Sequence, residues 1–227
     1  MRLLGSEGAF SYYHPKHVFT GFSWDALSAA GLLTSKPIGD VVVLGLGGGT
    51  CARQCRALYP DAHIVGIEVD KNILALARRE FHLDPLDLEV ILDSGQHFMR
   101  TTRRRFDLII DDMWPEEPFK PKVIMAERTW IETIQTRLRT GGVYTINLYD
   151  RDEHSEEMAN VYSIVRRRFA NVLEVRPPHG QTTTIAASDS SLSPRFARSR
   201  VASFPRSHAL HLNQLAYCDL SNHSMKG

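Results

Sequence analysis

The chain has little that marks a special environment. Cysteine is scarce, three in 227 residues, and Cys51 and Cys55 stand four apart on a predicted helix. That spacing puts two reduced thiols on one helix face, with neither a disulfide scaffold nor the ligand spacing of a zinc site, so no metal is expected. Net charge is nearly absent, +1 with both signs interspersed. This excludes the large single-sign field of a nucleic-acid or membrane-surface protein and points to a small-molecule partner. Apolar runs stay well short of the roughly 18–20 residues of a membrane span, and the opening stretch from Met1 to Pro15 lacks the apolar core of a signal peptide. A cytoplasmic location is therefore expected.

What is present is alternation. Residues 1–40 read as a lid segment, rich in aromatics (Phe10, Tyr12, Tyr13, Phe19, Phe22, Trp24) and closed by a short helix from Ser23 to Leu33 before Ser35-Lys36-Pro37. From Val41 onward, short apolar runs (Val41–Leu44, Ile64–Ile67, Leu88–Leu92, Phe106–Ile110, Gly142–Leu148) alternate with amphipathic stretches (Thr50–Tyr59, Lys71–Phe81, Gln96–Arg103, Lys122–Arg139). Buried parallel strands separated by helices read this way. One more helix is predicted over Glu153–Phe169, and then Val172–Arg176 and Thr182–Ala187 flank the turn Pro177-Pro178-His179-Gly180. With no helix between them, these last two strands pair antiparallel. The expected fold is α/β, a doubly wound, Rossmann-like, mostly parallel seven-stranded sheet ending in an antiparallel hairpin, over residues 41–188. Residues 189–227 lose periodicity, are rich in Ser and Arg, and read as a partly ordered tail with a short helix near Ala209–Tyr217.

The chemistry begins at Val41-Val42-Val43-Leu44-Gly45-Leu46-Gly47-Gly48-Gly49-Thr50, a strand entering a glycine-rich bend that opens a helix. Gly45, Gly47 and Gly49 allow the sharp turn and the close backbone approach that a nucleoside cofactor requires, and the helix start offers N–H groups to an anionic group. Glu68 ends the next strand, where a carboxylate accepts both ribose hydroxyls. Asp93 and Ser94 follow the third run and border the adenine edge, although the same pair also suits a helix cap. Asp111 and Asp112 stand side by side at the fourth strand end, an arrangement that suits a cationic ligand between them.

Taken together, VVVLGLGGGT, IVGIEVD, VILDSG, FDLIIDD and LRTGGVYTINL resemble the spermidine synthase-like branch of the class I S-adenosylmethionine-dependent methyltransferase superfamily, over roughly residues 40–190. Val43 stands two residues before the first glycine, where most class I methyltransferases carry an acid and the polyamine branch does not. The resemblance implies that Glu68 binds ribose, that Asp93 and Ser94 border adenine, and that Asp111 faces the amino end of the cofactor side chain. Spermidine synthases continue with an Asp-Ser-Ser-Asp-Pro pattern whose second Asp deprotonates the amine. Aligned without gaps, this chain places Trp114 there, and an indole is no base. The usual N-terminal β-hairpin domain also has no room before the glycine bend.

Those departures favour methyl transfer from S-adenosylmethionine to a small molecule, because in-line alignment alone contributes about 7–11 kcal/mol in good cases and makes a base optional. In that reading Asp111 orients the cofactor, Asp112 binds or deprotonates the acceptor, and Trp114 walls its pocket. Tyr149, Asp150, His14, Tyr12 and Tyr13 are further acceptor contacts to examine. The alternatives are aminopropyl transfer from decarboxylated S-adenosylmethionine, with Asp112 as base, and a non-catalytic nucleoside-binding relative. The terminal hairpin disfavours a nicotinamide oxidoreductase. The acceptor, an amine among the options, and a homodimer are left open.

Overall fold

The computed structural model describes residues 1–5, 8–114, 128–149, 155–180 and 182–221. A two-stranded antiparallel hairpin, β1 (Arg2–Gly5) and β2 (Gly8–Tyr12), precedes helix α1 (Ser23–Ala29) and a 3-10 turn (Ala30–Leu33). There follow β3 (Asp40–Leu44), α2 (Thr50–Leu58), β4 (His63–Glu68), α3 (Lys71–Glu80), β5 (Glu89–Leu92), α4 (Gly95–Thr101), β6 (Phe106–Asp111), α5 (Arg128–Arg137) and β7 (Leu138–Tyr149). The chain continues through α6 (Ser155–Arg168), β8 (Asn171–Arg176), β9 (Thr182–Ser188), α7 (Pro194–Val201), α8 (Arg206–Leu212) and β10 (Ala216–Asp219).

The large sheet has eight strands in the order β10-β8-β9-β7-β6-β3-β4-β5. Strands β3 to β7 are parallel, while β9, β8 and β10 add on antiparallel. This is the doubly wound α/β fold with a terminal hairpin that the alternating pattern predicts. Because β3 pairs with β4 on one side and β6 on the other, the winding reverses between β3 and β6. At such a reversal the loops leaving two neighbouring strands diverge and open a crevice at their carboxyl ends. The glycine bend leaves β3 there, and Asp112 leaves β6.

Period-two alternation divides the strand side chains between two apolar layers. Val41, Val43, Leu108 and Ile110 face the layer built with Leu27, Leu32, Leu33, Cys55 and Leu58. Val42, Leu44 and Ile109 face the one built with Met99, Trp130, Ile134 and Val165. The lid segment is thus part of the core: Ala26, Leu27, Leu32 and Leu33 are buried, each leucine worth about 1.5–3 kcal/mol of transfer free energy. It also contains a short hairpin where none is expected from the sequence.

The stretch beyond residue 188 differs from its reading as a partly ordered tail. Ser193 caps α7 by accepting from Phe196 N–H, Ala197, Val201, Leu212 and Leu215 pack into the first layer, and β10 becomes the eighth strand by pairing with β8. Its amphipathic turns are too short for periodicity to stand out. Residues 122–127 and 153–154 of two predicted helices, and Asp150, lie outside the described residues. Among the described residues no helix is long and apolar enough to cross a membrane.

Candidate active site

The glycine bend lies against the ends of its two neighbouring strands. The N–H groups of Gly45 and Leu46 both donate to the Ile67 carbonyl of β4, at 3.1 and 2.9 Å. Gly45 has φ +82°, and a Cβ there would stand 2.7 Å from the Asp112 carbonyl oxygen. Side chains rarely adopt that φ, and no Cβ tolerates that distance from a carbonyl, so glycine is required on both counts. The β3 and β6 loops touch at this point, because Asp112 N–H also donates to the Leu44 carbonyl at 3.0 Å.

Glu68, 6% exposed at the tip of β4, faces the bend. Its Oε2 accepts from Gly47 N–H at 2.8 Å, and its Oε1 accepts from Val69 and Asp70 N–H at 2.9 and 3.0 Å. Next along the sheet edge, Asp93 N–H donates to the Glu68 carbonyl at 3.0 Å. The Asp93 carboxylate accepts from Ser94 N–H at 2.7 Å and meets His97 Nδ1 at 2.7 Å. The His97 hydrogen bond holds its carboxyl below the usual carboxylate range. Ser94 Oγ caps α4 by accepting from His97 N–H at 3.1 Å, the cap geometry the sequence also permits.

Two residues beside these acids were not singled out from the sequence. Val69 is 62% exposed and Leu92 54%, each adjoining an acid at the tip of β4 or β5. Exposed apolar side chains flanking Glu68 and Asp93 suit the faces of a flat base. The signal was available, since a residue at or just past a strand end escapes the core that its apolarity suggests.

The adjacent acids of β6 part company. Asp111 pairs with Leu44 in register and continues the Ile109 face, so its buried Oδ2 accepts from Trp130 Nε1 at 3.1 Å and Tyr144 Oη at 3.0 Å within the second layer. Expected at the cofactor, Asp111 lies instead under α5, as strand alternation dictates. Its burial and the Asp111 carboxylate beside it drive the Tyr144 hydroxyl well above its ordinary value. Asp112 points the other way. Its carboxylate accepts from Trp24 Nε1 at 3.1 Å, Trp114 Nε1 at 3.2 Å and Asn147 Nδ2 at 2.9 Å. Asn147 also donates to Ser23 Oγ at 3.2 Å, so α1, β6 and β7 meet at one carboxylate.

Trp24 is held in place by its neighbour. Asp25, fully buried, accepts from the N–H groups of Thr20 and Gly21 and from Gln54 Nε2 at 2.7 Å, and burial raises its carboxyl above the usual range. Gln54 belongs to α2, so this contact ties the lid to the helix that leaves the glycine bend. Burial, followed by the charge of Asp112, pushes the Cys51 thiol well up, and burial pushes Cys55 up to about 12. Both are free thiols and stay protonated and inert.

The hairpin lies over the bend: Ser11 Oγ accepts from Gly48 N–H, and Tyr12 is bonded to Thr50. Tyr13 packs tilted against His82 and lies under the Arg53 guanidinium, while His14 packs tilted against His17. Among the described residues no group of three His, Cys, Asp or Glu side chains is placed to hold a metal.

Known proteins share this architecture. A probable polyamine aminopropyl transferase from Bifidobacterium longum (strain NCC 2705) is 30% identical over 57% of the chain. A polyamine aminopropyltransferase from Vibrio vulnificus (strain CMCP6) is 24% identical over 70% of it. The chain spans 28% and 54% of their respective lengths. Human methyltransferase-like protein 13, solved in complex with SAH, superposes with a TM-score of 0.65 at 19% identity, covering 82% of this chain and 91% of that one. With the spermine/spermidine synthase domain model matching residues 25–177, the chain belongs to the spermine/spermidine synthase domain family of transferases.

Proposed function

We propose that this chain transfers an aminopropyl group from decarboxylated S-adenosylmethionine to an amine acceptor. The observation that carries the reading is Asp112, whose backbone lies against Gly45 at the winding reversal and whose carboxylate is oriented by N–H donors from α1, β7 and the loop after β6. These donors hold the carboxylate in one orientation, and an oriented carboxylate suits a cationic group. The donor side chain ends in an ammonium, and the names of the two bacterial relatives point the same way.

In this reading Glu68 accepts the ribose hydroxyls, and Gly45 to Gly49 give the adenosyl group room. Val69, Leu92 and the Asp93–Ser94 turn border the base, and Asp112 holds the ammonium. The acceptor nitrogen attacks the propyl carbon bonded to sulfur. The C–S bond breaks with its electron pair on sulfur, leaving a neutral thioether, and the nitrogen loses its proton to water. Trp114 stands where the family pattern carries a base and cannot take that proton, so the rate comes from holding nitrogen, carbon and sulfur in line.

That same Trp114 favours a second reading, methyl transfer from S-adenosylmethionine. The nucleoside product separates the two. Incubation with each donor and a mixture of di- and polyamines should yield methylthioadenosine from the decarboxylated donor. S-adenosylhomocysteine, formed from the carboxylated donor, would establish methyl transfer instead, and neither product would leave a binding protein.

A further inference from the structure

The N-terminal hairpin sets one side chain against the glycine bend. Ser11 is 1% exposed. Its Oγ accepts from Gly48 N–H at 2.7 Å and donates to the Phe10 carbonyl. Strand β2 is fastened next to it by a reciprocal pair: Tyr12 N–H donates to Thr50 Oγ1 at 2.8 Å, and Thr50 Oγ1 donates to the Tyr12 carbonyl at 3.0 Å. Ser11 also fills the space, its Oγ lying 2.8 Å from a Cβ built on Gly47 and its own Cβ 2.8 Å from one built on Gly48.

A glycine bend opening a helix ordinarily offers backbone N–H groups to an anion. Here the Gly48 donor is taken. Ser11 Oγ takes that donor and, with its Cβ, fills the space beside Gly47 and Gly48, so a carboxylate finds neither that N–H nor room there. We infer that Ser11 is a specificity-determining residue that disfavours a donor bearing a carboxylate and leaves the decarboxylated donor undisturbed. The inference rests on the adenosyl site proposed above.

The test compares the full chain with Ser11→Gly, which frees both the donor and the space, and with Ser11→Ala, which frees the donor alone. Calorimetric titration with S-adenosylmethionine and its decarboxylated form gives the affinity ratio, and a melting curve checks each fold. Ser11→Gly should shift the ratio about tenfold toward the carboxylated donor, the scale of one hydrogen bond to a charged group, while affinity for the decarboxylated form stays constant. Ser11→Ala should shift it the same way by less, and it decides the matter if the glycine variant does not fold. If the unaltered chain prefers the decarboxylated donor and neither variant moves the ratio, the role of Ser11 is overturned and the function stands. If the unaltered chain binds neither donor, the proposed function falls with it.

Discussion

The two sides of the crevice are built differently. On the glycine side, backbone does the work: Gly45, Leu46 and Gly47 send their N–H groups to Ile67 and Glu68, and the residues involved lie within one βαβ unit. On the Asp112 side, side chains do it, and two of the three named donors come from distant sequence: Trp24 is 88 residues away from Asp112 and Asn147 is 35 away, with Trp114 two residues on. A site made by local backbone geometry tolerates little at one position. A site made by converging side chains spreads its sensitivity over several.

The sharpest way to break the first side is Gly45→Ala. Positive φ costs a β-carbon of order 1–3 kcal/mol, and the contact with the Asp112 carbonyl forces the β3 and β6 loops apart. Donor affinity should fall by about a hundredfold or more in titration calorimetry, and an unchanged affinity would show that the bend does not shape the pocket. On the second side, the neighbouring acids should separate cleanly. Asp111→Ala leaves the buried Trp130 indole and Tyr144 hydroxyl without this acceptor and should cost about 3 kcal/mol in chemical denaturation. Asp112→Asn should leave the denaturation midpoint nearly unchanged and abolish turnover. The opposite pattern would return Asp111 to the site.

That division also explains what the sequence made legible. The bend, Glu68 and the alternation of strands and helices are encoded within short windows, so motif and period suffice to place them. Asp111 and Asp112 look equivalent as adjacent letters. Only the register of β6, with Ile109 and Asp111 on one face and Ile110 on the other, tells them apart. The role of Trp24 was illegible because its partner lies in another element, and aromatics in the opening segment read equally well as a lid. Beyond residue 188, α7 and β10 were missed and the short helix expected near Ala209–Tyr217 lies a few residues earlier, at Arg206–Leu212, for a different reason: each element is four to eight residues long, too short to show a period, and is held by packing on the first apolar layer or by pairing with β8.

Trp24→Phe sharpens the comparison at a smaller scale. An aromatic ring stays in the core, while the N–H to Asp112 is lost together with part of the indole's bulk. A fall of about tenfold in kcat/KM with little change in melting temperature would show that the convergent side tunes chemistry without holding up the fold. A melting temperature that drops as far as in Asp111→Ala would refute that separation.

The smallest effect belongs at the rim of the glycine side, where Asp93 and His97 pair one helical turn apart. The Asp93 carboxyl lies below its ordinary 3.8, chiefly through the His97 hydrogen bond. A depressed carboxyl stabilises the fold above its unfolded value, and that contribution disappears as pH falls through the folded one. His97→Ala should therefore lower stability at pH 7 by no more than about 0.5 kcal/mol, the scale of exposed pairs at this spacing. The deficit should shrink once pH drops below 3.8. A deficit that persists undiminished in acid would assign it to helix propensity or packing, and the glycine side would then owe nothing to its exposed charges.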